Sequence, residues 1–357
     1  KYLKNKYPKM EGIFFDEEVH NAGKKYVLEL TSALIKNKLN NLHYNAMCGY
    51  WSMDEEMLVA YKEAGYYLLR IGIETGSEKI AKAMNLRNKF NLEKLFSVLK
   101  SAKKIGIDMY GTFTFGGPDS NDEEDKKTLD LIYRLMSEGL LKRIQMSINT
   151  PQPGTPFYEW ADKSGFIISK NWDDYDGGNS VVIEYPYYLR EQIMKNYQNS
   201  FCVYDRGMQE YWSQELTANL EKCFFKFTNL KNILIFRTSR QWHFDKVINF
   251  LSSKYNEINI TVISAQKFEE QLKNDKRLNK TLYYETDYFN LFNVSKEIIE
   301  NIETERYDAV IVLYSDFAGT GYDKLNTFAA QCISANKFAL NIAGEQFIIK
   351  SANKTKI

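Results

Sequence analysis

Arg70 and Glu74 are spaced to act together. In Leu69-Arg70-Ile71-Gly72-Ile73-Glu74 every second residue is aliphatic. An extended strand sends alternate side chains to opposite faces. The aliphatic face suits packing against helices, so Arg70 and Glu74 face the other way, with Gly72 leaving space between them. A guanidinium holds a carboxylate group well, and a carboxylate accepts hydrogen bonds from hydroxyls. The run Ile144-Gln145-Met146-Ser147-Ile148-Asn149 reads alike: Gln145, Ser147 and Asn149 share a polar face. A purely structural barrel fills its lumen with branched apolar residues. Asp16-Glu17-Glu18 ends another apolar run. It offers either an acidic cluster at the same end of the sheet or the N-terminal charge of the next helix. Gly116-Gly117-Pro118 either lets a ligand approach the backbone or makes a tight turn.

The elements that carry these groups follow a repeating pattern. Strand-like runs fall at residues 12–16, 42–46, 68–73, 109–115 and 143–149. Helical patterns lie between them at 22–39, 54–64, 92–105 and 121–138. Asp54 and Asn121 look like N-caps, and Gly65, Gly106 and Gly139 sit where helices should stop. Strand and helix in alternation mean parallel strands with right-handed crossovers, here a barrel or partial barrel. Its site lies at the carboxyl ends of the strands. The pattern stops at Pro151-Gln152-Pro153-Gly154-Thr155-Pro156. A helical stretch near 189–227 follows. A second series begins at Asn232, with strands near 233–236, 260–263, 309–313 and 338–342. It reads as a small doubly wound domain. The expected organisation is a barrel over 1–165, a helical extension and linker over 166–228, and a Rossmann-like α/β domain over 229–357.

Composition narrows the class. The chain has 357 residues, 44% hydrophobic and 26% charged, which suits a folded soluble protein of two domains. A net charge of +1 gives no field for gathering nucleic acid. No run is apolar enough to span a membrane. Cys48, Cys202, Cys223 and Cys332 are too far apart for a metal-ligand pair or a disulfide framework. A reducing cytoplasm is the simplest setting. Cys48 follows a strand near the expected barrel mouth, although most free cysteines are small apolar fillers. The tyrosines of 185–188 and 197–211 suit either a core stripe or a substrate pocket. Arg237-Thr238-Ser239, before a helix, suits capping or an anion at the helix N-terminus.

Together, GIFFDEE at 12–18, RIGIETGS at 70–77, GTFTFGGP at 111–118 and SINTPQPGTPFY at 147–158 resemble the radical S-adenosylmethionine (radical SAM) superfamily. The similarity covers about residues 1–210. It is strongest to the subgroup that often carries an N-terminal cobalamin-binding domain. The resemblance implies a partial (β/α)6 barrel lacking its first strand, joined to the C-terminal α/β domain. It implies a [4Fe–4S] cluster that cleaves S-adenosylmethionine to a 5′-deoxyadenosyl radical, an electron donor for the cluster, and a small-molecule substrate. Methyl transfer or another radical modification is the implied reaction, with the use of cobalamin left open. It places Asp16 and Glu17 at the methionine amino group, Arg70 at its carboxylate, and Glu74 at the ribose with Ser77 nearby. Gly111, Phe113 and Gly116 fall beside the adenine, as do Asn149 and Thr150 at the end of the last strand.

The departure from the family is the absence of CxxxCxxC. The sequence begins inside a helical pattern, so truncation after that motif is the expectation, and the chain alone is expected to be inactive. Two other readings stay open. One is a scaffold on a barrel that has lost its cluster. The other is a metal-free barrel enzyme with an acid–base pair at its mouth.

Overall fold

The computed structural model describes residues 2–286, 289–290, 294–317, 319 and 321–349, with the side chain of residue 88 excepted. The chain forms two compact units, Lys1–Met208 and Gln209–Ile357.

The first unit runs, in chain order, α1 (Tyr2–Lys6), β1 (Gly12–Phe15), α2 (Lys24–Lys36), β2 (His43–Cys48), α3 (Glu55–Glu63), β3 (Tyr66–Glu74), α4 (Glu78–Ala83), α5 (Leu92–Ile105), β4 (Asp108–Phe115), α6 (Asp122–Ser137), β5 (Arg143–Ile148) and α7 (Pro156–Lys163). The strands pair in sequential order and all in parallel. This is the expected partial barrel. The local signals are physical ones. Asp54 accepts from Met57 N at 2.9 Å and Asn121 from Glu124 N at 2.9 Å, each replacing a backbone partner that the first turn lacks. Gly106 ends α5 at φ 83°, a conformation that a side chain resists. One face of the sheet is covered by helices, and there Tyr44, Ala46, Leu69, Ile71, Phe113 and Phe115 are buried. The opposite face stays partly open.

Helix α8 (Arg190–Phe224) begins in the first unit and ends in the second. The second unit continues with β6 (Asn232–Arg237), α9 (Gln241–Lys254), β7 (Asn259–Ala265), α10 (Glu269–Leu272), β8 (Lys280–Tyr284), α11 (Lys296–Thr304), β9 (Ala309–Leu313), α12 (Asp323–Ala329), β10 (Lys337–Leu340) and β11 (Gln346–Ile348). Strand order is β11-β10-β9-β6-β7-β8, with only the β10–β11 pair antiparallel. This is a doubly wound sheet whose order reverses between β6 and β9. Each face has its own core. Ile233, Ile235, Phe244 and Ile311 pack on one side. Leu234, Phe236, Ile298 and Val312 pack on the other.

The boundaries differ from the expected linker over 166–228. Ile183, Tyr185, Tyr188 and Ile193 pack with Ile148 and Ala161 of the first unit. Leu216, Leu220 and Phe224 of α8 are buried in the core of the second. The helix looked like a spacer because its apolar residues serve two separate cores. Strands β8 and β11 and helices α4, α7 and α10 were not anticipated; all are short, so periodicity had little to register.

Candidate active site

The open face of the first sheet is polar because its strands are in lateral register. Met47, Arg70, Tyr110 and Arg143 are partners across β2 to β5, and Gly72, Thr112 and Gln145 form the next row. The guanidinium of Arg70 lies 4.5 Å from the Phe14 ring and 5.0 Å from that of Tyr110. Among the described residues its buried Nε has no hydrogen-bond partner, nor has Oδ1 of Asn45 on β2. Buried polar atoms in native proteins nearly always have partners. A face that leaves a guanidinium N–H and an amide oxygen unused suits a polar ligand.

Glu74 reaches this face by an unexpected route. A bulge at Ile73 shifts the pairing, so Gly72 partners Thr112 but Glu74 partners Phe113. Simple alternation therefore fails at the last residue. Glu74 adopts φ 66°, and its side chain folds back over Gly72 to accept from Thr112 Oγ1 at 3.1 Å. A Cβ on residue 72 would lie 2.5 Å from Glu74 Oε1, so the glycine makes room for the carboxylate. Burial raises the pKa of Glu74, and the Thr112 hydrogen bond opposes the shift. A left-handed non-glycine residue costs about 1–3 kcal/mol, and such strain collects at ligand sites.

At the carboxyl end of β1, Asp16 and Glu17 are exposed. They do not charge the next helix, since α2 has no acidic residue in its first turn. Glu17 accepts from His20 Nδ1 at 3.2 Å, and His20 Nε2 meets the Tyr66 hydroxyl at 2.8 Å. His20 is buried and stacks on Phe15 with ring centres 4.6 Å apart. Burial lowers its pKa, against the pull of Glu17. This support for the acidic cluster escaped the sequence reading, because one histidine three residues from a glutamate has no distinctive spacing.

Several expected ligand residues lie elsewhere. Gly111 and Phe113 sit on the helix-covered face, where a Cβ on residue 111 would come 2.9 Å from Leu141 Cδ1. Thr112 and Thr114, one residue on, share the open face. Gly111 is small to admit its apolar neighbours. Ser77 is wholly buried, caps α4 by accepting from Ile80 N, and donates to Glu124. Its hydroxyl is thus committed to structure. Gly116 is braced: its N–H donates to Asp125 Oδ2 at 3.0 Å and its carbonyl accepts from the Tyr185 hydroxyl at 3.1 Å. Burial pushes the Asp125 carboxyl up to about 6. Tyr188 also donates to Asp125, at 2.8 Å. Tyr185 and Tyr188 are therefore core that holds the glycine turn. Asn149, with Met84, Pro118, Asp119, Phe157 and Trp160, lines a cavity of about 550 Å³. The Thr150 hydroxyl turns back to the Ile148 carbonyl at 3.2 Å.

The cysteines do not form a cluster site. Cys48 ends β2 at the expected mouth, but its side chain is buried on the helix-covered face, and burial pushes its thiol up to about 12. Among the described residues no group of three histidine, cysteine or acidic side chains is placed to hold a metal ion. The residues present do not fit a [4Fe–4S] cluster, which needs closely placed thiolates.

A parallel barrel sheet with an open polar face matches what comparison with known proteins finds. Residues 14–132 match the radical SAM superfamily. That stretch lies within the first unit, which is similar to radical SAM domains. An uncharacterized methyltransferase of Pyrococcus horikoshii is 27% identical over 183 residues, 51% of this chain and 38% of that protein. A bacteriochlorophyllide d C-12(1)-methyltransferase of Chlorobaculum tepidum is 26% identical over 153 residues, 43% of this chain and 31% of that protein. The chain thus spans well under half the length of these curated relatives. Among solved structures, a radical SAM methyltransferase from Kitasatospora setae, with cobalamin and a [4Fe–4S] cluster bound, aligns with 45% of this chain and 32% of its own. Its identity is 16% and its TM-score 0.40. No described helix is long and apolar enough to cross a membrane.

Proposed function

We propose that the open face of the first unit binds S-adenosylmethionine for a radical SAM methyltransferase of the cobalamin-associated subgroup acting on a small molecule. The observation that carries this reading is Glu74, a half-buried carboxylate in a strained backbone, held over Gly72 on the strand that also carries Arg70, whose guanidinium has an N–H unused among the described residues. A carboxylate so placed accepts from both ribose hydroxyls. Arg70 holds the methionine carboxylate, and Asp16 and Glu17 attract the amino group. Asn149 and its cavity take the adenine, while Thr112 keeps Glu74 aimed. When bound, S-adenosylmethionine supplies the radical or the methyl group. The cluster ligands, an electron donor and the substrate come from outside these residues, and no step through the cluster is derived from this chain. The experiment is calorimetric titration of S-adenosylmethionine into the chain as it stands, before and after Glu74→Gln. Measurable affinity that falls about tenfold in the variant, with the fold retained, supports the assignment. Equal affinity in both proteins removes Glu74 from the site.

A further inference from the structure

The second unit buries a cation that no carboxylate pairs with among the described residues. Arg237 ends β6 and is wholly buried. Its guanidinium lies 3.8 Å from the Phe268 ring centre and 5.0 Å from that of Phe244. Nη2 donates to the side-chain oxygens of Gln241 and, at 3.3 Å, Gln271. Nε and Nη1 have no hydrogen-bond partner among the described residues. Asp245, which acts on it through space, is already engaged: Oδ1 accepts from Arg277 at 2.7 Å and Oδ2 from Gln241 at 2.9 Å. Ser264 is the neighbour of Arg237 in strand register, and Ser239 follows two residues later in the chain. Both are buried, and both hydroxyls lack a hydrogen-bond partner among the described residues.

The helix that follows is uncapped. Helix α9 starts at Gln241 and has fourteen residues, and no side chain caps its N-terminus. Thr238, a candidate cap, donates instead to the Leu313 carbonyl at 2.5 Å. Arg237 ends β6, the strand beside which the order reverses, and open α/β sheets take ligands at such strand ends. A buried charge without a partner is unfavourable, and a purely structural arginine would bring a carboxylate with it. Guanidinium, two hydroxyls and a helix N-terminus without a side-chain cap together complement a tetrahedral oxyanion better than a planar carboxylate.

We propose that Arg237, Ser239, Ser264 and the first turn of α9 bind the phosphate group of a small molecule. The oxygens of Gln241 and Gln271 are neutral and belong to exposed residues, so a dianion arriving from solvent displaces them from Nη2. The site lies wholly in the second unit, so its fate is independent of S-adenosylmethionine binding in the first.

The test titrates inorganic phosphate, with acetate as the planar comparison, into the full chain, followed by calorimetry and melting temperature. Phosphate should bind saturably in the millimolar range or tighter and raise the melting temperature, and acetate should bind more weakly. Ser239→Ala should weaken phosphate by about three- to tenfold. Gln271→Ala should tighten it by removing a competing acceptor. Arg237→Met should abolish the response without lowering the melting temperature in buffer alone, since the unpaired charge is gone. The two milder variants keep the test decisive if the arginine variant does not fold. No saturable phosphate response, or one that Ser239→Ala and Gln271→Ala leave unchanged, overturns the proposal.

Discussion

Glu74 and its two glycine neighbours separate binding from packing at single residues. Gly72 and Gly111 lie on adjacent strands but serve opposite faces. In Gly72→Ala the new methyl crowds the end of the flexible Glu74 side chain, at 2.5 Å, and touches the Thr112 hydroxyl at an ordinary 3.8 Å. The fold should survive, and S-adenosylmethionine affinity should fall as in Glu74→Gln. In Gly111→Ala the methyl meets Leu141 and Ile73 at 2.9 and 3.0 Å within a packed core. Overpacking of that kind costs about 1–3 kcal/mol and should leave affinity unchanged in the folded protein. Chemical denaturation and ligand titration of both variants distinguish these outcomes. His243 gives a pH signature. It is wholly buried, and burial drives its pKa from 6.5 down to about 3, against the Asn341 backbone. The unfolded chain then binds a proton that the folded chain refuses. Stability should fall as pH drops from 6.5 toward 3, by about 1.4 kcal/mol per pH unit from this group. Denaturation curves of wild type and His243→Leu should diverge over that range and run parallel above it.

At the level of elements, α8 decides where the chain can be cut. Its last turns place Leu216, Leu220 and Phe224 in the core of the second unit. A chain ending at residue 228 keeps those side chains but loses the sheet they cover. Exposed apolar surface of that kind promotes association. A chain ending at Met208 omits them and should stay monomeric in light scattering, while the longer product aggregates. The shorter product should still bind S-adenosylmethionine, because β1 to β5 supply the proposed contacts. Loss of binding in a folded, monomeric shorter chain would count against that assignment. The first-turn signals of α3 and α6 were legible in the sequence because a cap is a local contact of three residues. The bulge in β3 was not legible, since nothing local marks Ile73 as the residue that leaves the register.

For the whole molecule, anaerobic reconstitution with iron and sulfide should give no [4Fe–4S] absorbance. The buried Cys48, Cys223 and Cys332 and the exposed Cys202 are not arranged as cluster ligands. Stoichiometric iron and sulfide on the chain would contradict the structure. By itself the sequence determined the alternation of parallel strands and helices in the first unit, the presence of two α/β units, the resemblance of the first to radical SAM proteins, and the polar face bearing Arg70 and Gln145. These follow from period-two alternation, helix caps and motif order, all of which are short-range in the chain. Tertiary structure alone decided which side of the sheet each glycine serves and how Glu74 turns back to the open face. It also decided which tyrosines are core, and that Arg237 is buried with two guanidinium nitrogens unused among the described residues. Such outcomes depend on which residues distant in sequence meet across strands and beneath helices, and no local pattern encodes that meeting.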